Sequence, residues 1–152
     1  MKTSHYWALA ALAWAGFIVS FFLPAFDQMP GWKAAVLQGI FWPQAIQGNS
    51  LSIHYLLLGF ANLLMLLSPF FIARGAQDGR FIKWLRGLSL ASVLLVWLFV
   101  GRLLGAQLRH GQGLLSGDVR VGCYLWAISF ILICLASLLQ PIPLKAQPRQ
   151  AV

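Results

Sequence analysis

The chain contains no glutamate, and its three acidic residues, Asp27, Asp78 and Asp118, all lie between its apolar stretches. A carboxylate inside a bilayer is costly and is kept where protons or cations move. Its absence from every apolar stretch argues against a small multidrug-type exporter or a proton relay. The common four-helix glutathione-transferase pattern also needs glutamate and is not met. Cysteine is equally scarce: Cys123 and Cys134 stand eleven residues apart, about 16 Å along one helix. That is beyond disulfide reach, and without a C-x-x-C spacing a thiol oxidoreductase is disfavoured. Both read as small apolar packing residues. Of the three histidines none falls in mid-stretch. His54 and His110 on one side are the conceivable axial haem pair, but four-helix haem proteins place facing histidines within their spans. No catalytic, cofactor or metal motif stands out, so the sequence reads as a non-enzyme without a cofactor.

What the chain has is apolar length. Apolar residues make up 60% of its 152 residues and charged residues 9%, against roughly 25% charged in soluble domains. Four apolar stretches run Tyr6–Phe26, Ile53–Ala73, Leu88–Leu108 and Val121–Leu139. Each is close to the roughly 20 residues that carry a helix across about 30 Å of hydrocarbon. The expected fold is an all-α membrane protein: an antiparallel bundle of four transmembrane helices forming one domain over residues 1–140. Lys2 and Ala13-Trp14-Ala15 superficially resemble a cleaved signal. The apolar run continues through Phe26, so the first stretch reads as a retained anchor.

The net charge of +8 belongs to span ends rather than to a nucleic-acid surface. Lys2, Arg74, Arg80, Lys83, Arg86, Lys145 and Arg149 fall on one side; Lys33, Arg102, Arg109 and Arg120 fall on the other. Seven against four places both termini in the cytoplasm under the positive-inside rule. The basic and aromatic connector Arg74–Arg86 is expected to face anionic lipid headgroups, and membrane lipids are the first expected partners. Between the first two spans, residues 30–43 are apolar, bounded by prolines and too short to cross. They predict an external segment lying in the interface. Residues 141–152, with Pro141, Pro143 and Pro148, read as a disordered cytoplasmic tail.

A few residues interrupt the apolar pattern. Arg102 lies about 21 Å along the third span, near enough to its outer boundary to snorkel. Arg109 is seven residues on, hence on nearly the same face, and His110 follows. With Lys33 and Arg120 they define a candidate external site for a lipid phosphate or another anion. Gly101 and Gly105 flank Arg102 in a G-x-x-x-G spacing that permits close helix packing, within the bundle or in an oligomer. Asn62, in the middle of the second span, is expected to bind a neighbouring helix through its amide.

Phe21-Phe22-Leu23-Pro24-Ala25-Phe26, Gly31-Trp32-Lys33-Ala34-Ala35 and Gly122-Cys123-Tyr124-Leu125-Trp126 resemble a group of small, uncharacterised bacterial four-helix integral membrane proteins. The resemblance implies an inner-membrane setting and carries no activity, so no functional residue follows from it. The expected role is a non-catalytic accessory or interaction subunit, with a membrane-protein partner or a second copy of the chain. A transporter or channel component, with Asn62 and Arg102 as polar landmarks, is the alternative; a haem- or quinone-associated enzyme ranks third.

Overall fold

The computed structural model describes residues 4–26, 29–40, 50–111 and 119–142. The chain runs α1 Ser4–Phe22, β1 Pro24–Phe26, β2 Met29–Pro30, α2 Gly31–Ile40, α3 Ser50–Gly75, α4 Gly79–Arg109 and α5 Val121–Leu139. Helices α1, α3, α4 and α5 are each long and apolar enough to cross a membrane, as an all-α membrane protein requires. Residues 41–49, with Trp42 and Pro43, lie outside the described residues. So do Asp27, Asp118 and the tail from residue 143.

Two expected boundaries move. The first span stops at Phe22, four residues early, because Pro24 lacks an amide hydrogen and turns the residue before it away from helix. The freed backbone becomes strand: β1 pairs antiparallel with β2, Pro24 opposite Pro30 and Phe26 opposite Met29. A small β-pair therefore caps the helices, an addition to the all-α expectation. The third span begins at Gly79, nine residues before Leu88. Asp78 starts it, its side chain accepting from the Arg80 amide at 2.9 Å, which satisfies one of the donors that helix starts leave open. Arg80, Lys83 and Arg86 break the hydropathy of this stretch but not its period. Ile82, Leu85, Ser89, Ser92 and Val96 are buried at alternating spacings of three and four. At the other end Gly111 takes φ +70°, the left-handed conformation that closes helices after their last turn. With 31 residues, α4 is about 46 Å long and exceeds the hydrocarbon thickness.

Helix α5 is the spine. It packs along α1 on one side and α4 on the other, and α3 packs along α4. Its inward positions are mostly small: Gly122, Cys123, Ala127, Ser129, Cys134, Ala136 and Ser137 are buried. Without a hydrophobic drive between helices in lipid, such residues matter because they let backbones and larger side chains interlock. Phe17 of α1 fills the space they leave, edge-on to Phe21 at 4.9 Å and to Phe130 at 6.2 Å. Trp126 stands edge-on to Phe130 at 5.4 Å.

The helices thus have a cap end and a hairpin end. At the cap end, Phe26 bridges to Val119, the Arg120 amide donates to Ala25 O at 3.0 Å, and the Val119 amide donates to Gln107 Oε1 at 3.1 Å. At the hairpin end a short turn through Ala76, Gln77 and Asp78 joins α3 to α4.

Candidate functional site

The five basic candidates gather by element at the cap end. Arg102 is exposed on α4, about two turns before its end. Arg109 is exposed in the last turn, where a cation complements the negative end of the helix dipole. His110 is the exposed C-cap. Arg120 is half-buried at the N-cap of α5. Lys33 is exposed on α2, its ammonium 5.6 Å from the centroid of the adjacent Trp32 ring. Arg102 and Arg120 are engaged in further interactions. Shared polarity of position is what these residues have in common.

Beneath the cap lies a cavity of about 30 Å³ lined by Ser20, Ala25, Gly31, Asn62, Cys123 and Trp126, among others. That volume has room for one or two waters. Its polar groups are already engaged: the Trp126 indole donates to Asn62 Oδ1 at 2.8 Å, and Ser20 Oγ donates to Phe17 O at 2.6 Å. Asn62 therefore ties α3 to α5. The cap sits close because two glycines permit it. A Cβ at Gly122 would lie 2.7 Å from Pro24 O and 2.9 Å from Leu23 O, and one at Gly31 would run into Ser20 O.

The hairpin end holds residues that sequence reasoning missed. Arg86 donates from Nε to Ser137 O at 2.9 Å, and from Nη2 to Leu138 O at 3.2 Å and Gln140 O at 2.6 Å. A cation on these carbonyls neutralises the negative end of α5 and satisfies acceptors the helix leaves open. Gln140 Nε2 donates to Ile72 O of α3 at 2.9 Å. Ser89 Oγ and Ser137 Oγ meet at 3.3 Å between α4 and α5. In a basic connector Arg86 looks like its neighbours; the usable signal was Gln140, a polar residue between the end of an apolar run and Pro141. Trp14 Nε1 donates to Ser68 Oγ at 3.1 Å, which ties α1 to α3.

Among the described residues Gly101 and Gly105 meet no other helix: a Cβ built on either finds nothing within 4 Å. Close approach occurs instead at Gly16, whose Cβ would lie 2.8 Å from Ser129 Oγ. Gly101 and Gly105 belong to a larger outward face. Ala91, Leu94, Leu98, Gly101, Gly105 and Leu108 follow one another at spacings of three and four. Gly105 is half-buried and the other five are exposed, Leu98 by 68%. Buried and exposed stripes thus run side by side along α4.

Among the described residues no group of three or more His, Cys, Asp or Glu is placed to hold a metal ion, and Cys123 and Cys134 are free and buried. Comparisons with protein-family models, with curated proteins and with solved structures find no match.

Proposed function

We propose that this chain is a non-catalytic interaction subunit of a membrane complex, built as an antiparallel four-helix bundle in a bacterial inner membrane with both termini cytoplasmic. The observation that carries the reading is the outward face of α4. A seam of small residues and leucines at alternating spacings of three and four is the pattern by which one helix receives another. Among the described residues nothing lies within 4 Å of a Cβ built on either of its two central glycines. Several polar groups inside the bundle hold it together, Asn62 with Trp126, Ser68 with Trp14, and the end of α5 with Arg86, while Trp97 Nε1 and Gln140 Oε1 are buried without a hydrogen-bond partner among the described residues. That favours a scaffold over a conduit lined by Asn62. The orientation rests on the seven-to-four distribution of basic residues and the positive-inside rule. The basic cap-end residues Arg102, Arg109, His110, Lys33 and Arg120 are proposed as contacts for lipid phosphates on the opposite side.

The test is affinity isolation from native membranes in mild detergent, with mass spectrometry and an absorbance scan of the same sample. A stoichiometric membrane-protein partner, or a second copy of the chain, is the expected result. The double variant Gly101→Leu, Gly105→Leu is expected to lose it. A strictly monomeric protein without partners contradicts the proposal, and a haem spectrum would favour redox work instead.

A further inference from the structure

We propose that the foot of α4 carries a seat for one anionic phospholipid, with the phosphate at Lys83 and an acyl chain in the notch at Gly87. An open groove of about 340 Å³ lies there, lined by Lys83, Trp84, Gly87 and Leu88. The notch exists because Gly87 has no side chain; a Cβ added there would meet nothing within 4 Å among the described residues. Trp84 is 67% exposed beside it, and tryptophan is the residue that favours the boundary between headgroups and acyl chains.

The depth agrees. Helix α4 exceeds the hydrocarbon core by roughly 16 Å, or about 8 Å at each end if the excess is shared equally. Lys83 lies about 6 Å from the helix start and Gly87 about 12 Å. The ammonium thus falls at headgroup level and the notch in the hydrocarbon below it.

The charge pattern selects an anionic lipid and selects Lys83 within the basic cluster. Arg86 is turned inward onto the carbonyls at the end of α5. Arg80 approaches Asp78, Nε to Oδ2, at 3.9 Å. Arg74 lies over the Phe70 ring, 5.9 Å from its centroid. For Lys83 no partner is found among the described residues, and it stands at the mouth of an apolar groove. A zwitterionic headgroup would bring its own cation against Lys83. A headgroup with a net negative charge would not. The notch lies about one turn below the docking seam on the same face, Gly87 preceding Ala91 by four residues, but the seat is argued from Lys83, Trp84 and Gly87 and not from the seam.

The experiment reconstitutes the full chain in nanodiscs of equimolar phosphatidylglycerol and phosphatidylcholine, releases it gently and counts retained lipids by native mass spectrometry. Wild type is expected to retain phosphatidylglycerol about fivefold over phosphatidylcholine, the ratio expected for one interfacial cation. Lys83→Gln should abolish that preference, and Gly87→Leu should remove the retained lipid of both kinds. Arg80→Ala should behave as wild type. Both test positions are exposed, so size-exclusion elution should be unchanged and will report any variant that misfolds. Inorganic phosphate should not displace the lipid. Retention unchanged in folded Lys83→Gln and Gly87→Leu overturns the proposal. So does equal retention of the two lipids by wild type, or displacement by phosphate.

Discussion

Helices α4 and α5 are similarly apolar and differ in what surrounds them. Over an apolar stretch of 18 residues in each helix, 56% of the residues are buried in α5 against 22% in α4. The difference is one of side-chain size and position, not of hydropathy. Helix α5 places glycine, alanine, serine and cysteine inward, where α1, α4 and the cap close on it. Helix α4 places residues of the same kind outward as well, where the described residues supply no neighbour. Small residues in a membrane helix therefore mark close approach only where a second backbone arrives, and the two helices separate the satisfied case from the unsatisfied one.

The sharpest way to break this comparison is a matched pair of glycine substitutions. Gly122→Leu on α5 drives a side chain into the backbone at Leu23 and Pro24. Overpacking of this kind costs about 1–3 kcal/mol, occasionally more, and the contact here is rigid backbone. Purified Gly122→Leu should lose most of its monodisperse fraction in size-exclusion chromatography. Gly101→Leu on α4 should stay as monodisperse as wild type. If the two behave alike, the contrast between the helices is wrong.

Arg86 tests the link between them. Removing it with Arg86→Ala leaves carbonyls at the end of α5 without their cationic donor, a loss of about 2 kcal/mol for bonds to a charged group. A lowered thermal-unfolding midpoint is expected, whereas Arg80→Ala should leave the midpoint unchanged. A smaller effect is expected at Asn62. The bond from Trp126 should contribute about 0.6–2 kcal/mol, read as the non-additivity of Asn62→Ala and Trp126→Phe in a double-mutant cycle. Additive losses would mean that the pair does not hold α3 to α5. Smallest of all, Leu98→Ala on the outward face should change stability by less than about 0.5 kcal/mol, as surface substitutions do.

The four spans were legible because apolar length is a strong signal, and their ends were less so. Phe22 ends α1 because of Pro24, a residue whose effect is local and readable. The pairing of Pro24–Phe26 with Met29–Pro30 was not readable, since a strand of two or three residues depends on the helices beneath it. Arg80, Lys83 and Arg86 hid the first nine residues of α4, because hydropathy registers charge while helix formation follows the period of the buried face. Asn62 was visible as an amide in an apolar run, but its partner Trp126 lies 64 residues away and only the fold brings them together. The spacing of Gly101 and Gly105 was equally visible. Whether it faced inward or outward depended on the rotation of α4, which Ile82, Leu85, Ser89 and Val96 determine by facing the bundle.

The outward face of α4 carries the proposed function, and cysteine cross-linking in native membranes tests it most directly. Single cysteines would replace Ala91, Leu94, Leu98, Gly101 and Gly105, with Leu95 and Phe99 as positions turned roughly 100° further around the helix from Leu94 and Leu98. Cys123 and Cys134 are buried and can remain. The account predicts cross-links to one membrane protein, or to a second copy of the chain, at the five seam positions and not at Leu95 or Phe99. Cross-linking without that periodicity, or none at any position, would contradict it.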